Sequence, residues 1–385
     1  MLRQIWIVSA LNFKSLRSRL WQSLVIVVGL AATIGVMLSM LSVSAGMRQA
    51  YAKAGDPNRA IVVTKGAEQE GQSAITRAMA PLIAVAPGIA KDKDGKPLAD
   101  RSLNMGVPVL RKDGTKGFTN LRGFGDKGPG VRPEVKIVQG RMFQPGKREM
   151  IAGVGAQMIF RHMDVGDKVI LPDGQWPIVG IFASGDQLEG QMIGDSETLL
   201  TALHKSTYNS ILVRLASPDS LTTLKRALTT NPALSVDVMR HSDWYARVAD
   251  QQTFALALLG YIVGVVMAIG ALFGCLNTMY SAVSTRGREI ATLRALGYDA
   301  FPVAVSVILE AMLLSVAGAL LGAGIAWAFY DGKLDLFGNT IFHLSVSPKQ
   351  IELGVIWAVA VALFGGLFPS IRAARRPVVE ALRAT

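Results

Sequence analysis

Residue types that usually carry chemistry are few in this 385-residue chain, and their spacing does not suit it. His162, His204, His241 and His343 are scattered without ligand spacing, and no nucleophile sits at a recognisable distance from a base. The single cysteine, Cys275, lies inside an apolar run and has no second thiol for a disulfide or a metal site. The glycine-rich piece at 121–130 (LRGFGDKGPG) lacks the GxxxxGK[ST] spacing of a phosphate loop and any helical pattern after it, so it reads as a surface loop. These residues point to no catalytic, cofactor-binding or metal site.

The remaining chemistry is that of a charged segment at 277–297, NTMYSAVSTRGREIATLRALG. Arg286 and Arg288 form a basic cluster at the end of an apolar run, and a short helix follows. Glu289 falls in its first turn and Arg294 in its last, each matching the sign of that helix end. Gly297 stands where a helix C-terminus favours a left-handed residue. Ile290, Leu293 and Leu296 recur at helical spacing and form a narrow apolar stripe. A short amphipathic helix between two apolar runs can rest on lipid headgroups or lie in a groove of a partner, and the residues alone leave both readings open.

Composition constrains the elements that hold this segment. The chain is 50% hydrophobic and 18% charged, which fits membrane spans combined with one polar domain. Net charge is +12. Residues 45–252 hold 27 Lys and Arg against 21 Asp and Glu, and the other half of the excess lies mostly just outside apolar runs. That placement argues for membrane topology and headgroup contact, and against nucleic-acid binding.

Taken in order, residues 1–20 hold Arg3, Lys14, Arg17 and Arg19 and read as an amphipathic interfacial helix. Residues 21–44 carry no charge, enough for roughly 36 Å of helix, and 21–54 reads as a first span with a stalk. A cleaved signal peptide is the alternative; the long basic start and the length of the run favour a retained span. From 55 to 241 glycine, proline and charged residues are dense. Short β-rich runs at 60–64, 106–110, 168–171, 177–182 and 209–215 alternate with turn signals. Helices are expected over 73–86 and 218–230, the second with Ser217 as N-cap. The segment reads as an α+β domain with two lobes.

A second span with its own stalk is expected over 242–281, a cytoplasmic helix within 282–300, a third span over 301–330, a short loop over 331–350, a fourth span over 351–371, and a C-terminal segment over 372–385. Arg and Lys cluster at 1–20, 282–300 and 371–385, which places those regions and both termini in the cytoplasm and the large domain outside. The fold class is therefore an α-helical membrane protein with four transmembrane helices and a large α+β periplasmic domain between the first and second. Gly260/Gly264, Gly270/Gly274 and Gly318/Gly322 are GxxxG pairs that allow helices to approach closely. Glu310 is a carboxylate within the third span and must be paired, protonated or turned to the bundle interior. A proton or substrate relay would need a second intramembrane charge, so a packing role is the plainer reading.

The 277–297 segment resembles the signature of the MacB/FtsX-type permeases of ABC transporters. The matching residues are Asn277-Thr278-Met279, Arg286-Gly287-Arg288-Glu289-Ile290 and Ala295-Leu296-Gly297. The C-terminal residues Gly366-Leu367-Phe368-Pro369, Arg372-Ala373-Ala374-Arg375 and Glu380-Ala381-Leu382-Arg383 are similar to the same family. So are Val138-Gln139-Gly140-Arg141-Met142-Phe143 and Gly166-Asp167-Lys168-Val169 in the middle of the chain. Pro377 stands one position early and Thr285 replaces a commonly charged residue.

This resemblance implies a bacterial inner-membrane subunit that binds no cofactor itself and is driven by a separate ABC ATPase, in two copies, that uses ATP and Mg. It implies a second permease chain, identical or related, and allows a periplasmic adaptor and an outer-membrane protein. Arg286–Gly297 would be the coupling helix, with Arg288, Glu289 and Arg294 as polar contacts, and Arg372, Arg375, Arg376, Glu380 and Arg383 would lie beside it. For Arg375 and Arg376, anchoring to inner-leaflet lipids is an equal reading. The implied mechanism is mechanotransmission for efflux or for lipid or lipoprotein extraction; the alternative is a non-transporting transducer that activates a cell-wall hydrolase.

Overall fold

The computed structural model describes residues 4, 6, 20–285, 287–337 and 340–375. The interfacial helix expected over 1–20 lies outside the described residues apart from Gln4, Trp6 and Leu20, as do Arg286, Arg376, Glu380 and Arg383.

The chain begins with α1 (Leu20–Ala54), β1 (Arg59–Thr64), β2 (Ile75–Thr76), α2 (Met79–Ala84), β3 (Ala99–Leu110), β4 (Lys116–Phe124) and α3 (Gly128–Val131). There follow β5 (Lys136–Gly140), β6 (Met150–Gly153), α4 (Val154–Ile159), β7 (Lys168–Leu171), β8 (Gly174–Ala183) and β9 (Met192–Asp195). Next come α5 (Ser196–Ala202), β10 (Thr207–Tyr208), β11 (Ser210–Arg214), α6 (Ser220–Thr229) and β12 (Val236–Arg240). The last stretch is α7 (His241–Thr285), α8 (Gly287–Ala295), α9 (Ala300–Tyr330), β13 (Leu334–Phe337), β14 (Thr340–His343) and α10 (Pro348–Arg375). Two units divide these elements: a membrane unit of Met1–Ala45, Phe254–Lys333 and Leu344–Thr385, and an α+β unit of Gly46–Thr253 and Leu334–His343.

In the membrane unit, α1, α7, α9 and α10 are each long and apolar enough to cross a bilayer. Helix α1 is central: Ile26, Leu30, Ile34, Met37, Leu38 and Leu41 recur every three or four residues and are buried. They pack against small residues of its neighbours, Ala319 and Ala323 of α9 and Ala358 and Ala362 of α10. Lipid supplies no hydrophobic drive between helices, so close packing of small residues replaces it. Buried hydroxyls are returned to their own helix: Thr33 donates to the Gly29 carbonyl at 2.8 Å, Ser306 to Val303 at 2.8 Å and Ser315 to Met312 at 2.8 Å.

The α+β unit is built on one sheet in the order β12-β1-β11-β3-β4-β9-β6-β8-β5, with β7 paired to β8. Strand β3 links its two halves: Ala99–Ser102 pair with β11 and Leu103–Leu110 with β4. Side chains alternate between two cores, so that Met150 and Ala152 of β6 enter one and Ile151 the other. The larger core holds Trp176, Phe160 and Tyr208; the smaller holds Phe124, Phe182 and Phe143.

Several elements differ from the sequence reading. The helix expected over 73–86 is only Met79–Ala84, because Ile75 and Thr76 pair with Tyr208 and Thr207 as a strand. Helix α6 starts at Ser220, after Asp219, and Ser217 caps nothing in it; the Ser217 hydroxyl lies 2.8 Å from that of Ser220. The piece at 121–130 is no surface loop at its start: Leu121, Arg122, Gly123 and Phe124 are buried as the end of β4. The loop over 331–350 contains the hairpin β13–β14, with Leu334 opposite His343. In the sequence, Gly338-Asn339 between two apolar runs is a hairpin signal.

Candidate functional site

The first candidate site is the end of the membrane unit that carries the charged helix. Arg288, Glu289, Ile290, Leu293 and Arg294 all fall within α8, whose span is Gly287–Ala295. Its C-terminus is closed as expected: Gly297 adopts φ +93°, and its N–H donates to the Arg294 carbonyl at 3.1 Å. Ala291 is buried and anchors the helix to its own unit, whereas Leu296 is 73% exposed. Leu296 is an apolar side chain of the expected stripe that no described residue covers. Arg294 is half-buried.

At the end of α10, Arg372 is exposed and its guanidinium stands 5.7 Å from the centre of the Tyr280 ring on α7. Arg375 closes α10. Glu310 is only 6% exposed within α9 and does not stand unpaired.

The glycine pairs differ among themselves. A Cβ on Gly318 would lie 2.7 Å from the Val27 carbonyl oxygen, and one on Gly322 would clash with the backbone of Ala31. Gly260 and Gly264 meet side chains of α1, Met40 at 3.4 Å and Met37 at 3.1 Å. Gly270 and Gly274 have nothing within 4 Å among the described residues. Among the described residues, close helix approach is thus seen at the first and third pairs.

The second candidate site lies in the α+β unit, where the long helices join the sheet. Helix α1 ends just before β1, and β12 ends where α7 begins. β1 and β12 are antiparallel neighbours with Ala60 opposite Arg240. The junction is tied by polar groups. Arg59 is 5% exposed and donates to Asp56 at 2.8 Å and to Glu134 at 2.6 Å. The Asp56 N–H donates to Nδ1 of His241 at 3.3 Å, and Arg240 donates to the Pro57 carbonyl at 2.6 Å.

The stalk segments are joined above this point. A Cβ on Gly55 would lie 2.8 Å from Cα of Ser242, and Tyr51 and Tyr245 face each other with ring centres 6.0 Å apart. Arg48 donates to the buried Thr253 hydroxyl at 2.9 Å and reaches Asp250 at 3.3 Å. None of these residues was singled out in the sequence, because each contact joins positions far apart in the chain.

Two family models match. The MacB-like periplasmic core domain covers residues 23–231, more than half of the chain, and the FtsX-like permease C-terminal region covers 261–378. The chain is 25% identical over 417 residues to the ABC transporter permease YvrN of Bacillus subtilis, covering 97% of this chain and 98% of that one. It is 26% identical over 241 residues to the macrolide export ATP-binding/permease protein MacB of Photorhabdus laumondii, covering 58% of this chain. The match takes in 36% of that relative, so the chain spans about a third of the length of the MacB proteins it matches. Among solved structures, the periplasmic region of MacB from Actinobacillus actinomycetemcomitans is 16% identical with a TM-score of 0.39, covering 53% of this chain and 94% of that one.

Proposed function

The chain belongs to the MacB/FtsX-type family of ABC transporter permeases, and from that membership we propose that it couples ATP hydrolysis in a separate ATPase to movement of its α+β domain. The purpose of that movement is export or extraction of a substrate from the inner membrane or the periplasm. ATP and Mg belong to the ATPase, present in two copies beneath two permease chains. Helix α8 is the coupling helix: Leu296 enters an apolar recess of the ATPase, and Arg288, Glu289 and Arg294 make polar contacts at its rim. The termini and α8 face the cytoplasm and the α+β domain faces the periplasm.

The observation that carries this reading is the shared root of α1 and α7 on adjacent paired strands, β1 and β12. Helix α7 runs 45 residues without interruption, roughly 68 Å at 1.5 Å per residue. A displacement at its cytoplasmic end is delivered to the end of a hydrogen-bonded strand pair, where Arg240 lies opposite Ala60. Buried hydroxyls within the spans are bonded back to their own helices, which favours transmission of movement over a hydrophilic path through the bundle.

The test is a mild-detergent pull-down of the intact chain from native membranes beside a Glu289→Lys variant, read by mass spectrometry. An ATPase recovered with the parent and lost with the variant is the expected result. Recovery of other membrane complexes but no ATPase with the parent would refute the coupling role. A co-purifying adaptor or duct points to export, and a secreted hydrolase to signalling.

A further inference from the structure

The α+β unit contains a cavity of about 370 Å³ beside the root of the stalk segments, within the size range of small-molecule sites. Its floor is the ion pair Glu70–Arg122. Arg122 is 2% exposed and grips the carboxylate with both terminal nitrogens, at 3.0 and 3.1 Å. Ser210 donates to Glu70 at 2.6 Å and the Asn104 amide at 3.0 Å; Arg122 also donates to Ser102 at 3.1 Å. The two charges are therefore spent on each other, and the floor presents no net charge to a ligand.

The walls are neutral hydrogen-bonding groups and flat rings. Gln187 is 5% exposed and lines the cavity. Gln191 is 3% exposed; its carbonyl accepts from Arg122 at 3.0 Å, and its NH₂ is left to donate. Oδ1 of Asn104 is buried without a partner. Trp244 lines the same space, almost wholly buried. Leaving the Asn104 oxygen unpaired at a buried surface costs free energy that a bound hydrogen-bond donor would recover. Gln252 stands exposed at the rim.

We propose that this pocket binds an uncharged saccharide ring. Amide side chains offer donor and acceptor together, which matches hydroxyls that do both, and the apolar edges of Trp244 and Tyr245 that line the cavity suit the C–H groups of a sugar. A self-neutralised floor selects against charged ligands. The volume fits one or two rings and is too small for an extended chain. This inference concerns the α+β unit alone and does not depend on the coupling role.

The test uses the intact chain in a detergent without a sugar headgroup, since a glycoside detergent would compete. Saturation-transfer-difference NMR is recorded with methyl glucoside, N-acetylglucosamine and maltose as probes, and with glucuronate and trialanine as comparisons. At least one neutral sugar is expected to receive saturation on its ring protons and to bind about tenfold more tightly than glucuronate, as one or two lost hydrogen bonds would dictate. Gln187→Leu is expected to abolish the signal. Gln252→Ala, at an exposed position that leaves the fold intact, is expected to weaken binding severalfold. No saturation of any neutral sugar would overturn the proposal, as would trialanine binding in place of sugar or an unchanged sugar signal in both variants.

Discussion

Gly322 of α9 lies directly on the backbone of Ala31 in α1, so close that a Cβ at that position would overlap the Ala31 carbonyl. One turn earlier Gly318 meets Val27 in the same way, and the two together fix a close crossing of α1 and α9. Replacing Gly322 with valine forces backbone, not a flexible side chain, to move. We expect a loss of about 1–3 kcal/mol, seen as a lower midpoint in thermal unfolding of the detergent-solubilised chain. Gly270→Ala, with open space around it, should stay within about 0.5 kcal/mol. Equal effects at the two glycines would refute the crossing.

The buried pair Glu70–Arg122 should behave asymmetrically. Burial alone would raise the Glu70 carboxyl, but the charge and hydrogen bonds of Arg122, with help from Ser210, hold it below the usual range. Removing one partner strands the other charge away from water. Arg122→Met alone is expected to cost about 3–5 kcal/mol, and Glu70→Leu combined with it to recover most of that loss. A double-mutant cycle on urea unfolding measures the coupling, and simple additivity would show that the pair is not acting as a unit.

Asp100 gives the α+β unit a pH dependence of known sign. Burial pushes its carboxyl from the usual 3.8 up to about 7, against the pull of the Gly125 N–H, 2.8 Å away, and of Arg132. The folded state therefore prefers the protonated form. Asp100 contributes stability that is complete below about pH 4 and is lost as pH rises toward 7, worth at most about 4 kcal/mol. Asp100→Asn keeps an acceptor for Gly125 and removes the titration. The variant should match the parent below about pH 4 and exceed it at pH 8 in thermal unfolding midpoint. Parallel pH profiles for the two proteins would contradict this assignment.

What could be read from the sequence, and what could not, follows from how far apart the interacting residues lie. The four spans and strand β7 were legible because charge-free length and local turn signals define them. Strand β3 was read only in its second half, since Asp100, Arg101, Ser102 and Asn104 look like a loop until Asp100 and Ser102 are seen to be buried among Gly125 and Arg122. The signature at 277–297 was legible as a local pattern, and helix α8 with Gly297 at left-handed φ follows it. The stalk root and the neutral pocket were not legible. His241 reaches Asp56 across 185 positions and Arg122 reaches Glu70 across 52, and no periodicity within one segment reports such contacts.

Leu296 tests the coupling helix without touching its charges. The side chain is 73% exposed and Gly297 follows it in a left-handed turn, so a substitution there loses little within the chain itself. Leu296→Glu should leave the thermal midpoint within the small range of exposed substitutions, about 0.5 kcal/mol. On the coupling role proposed for α8, the same change would place a charge where an apolar side chain enters the ATPase, at a desolvation cost of several kcal/mol. The expected outcome is a chain of parental stability that no longer retains its ATPase in a mild-detergent pull-down. Leu296→Met, apolar and of similar volume, should retain it. Retention by Leu296→Glu as well would mean that α8 rests on lipid headgroups and that the ATPase grips another surface.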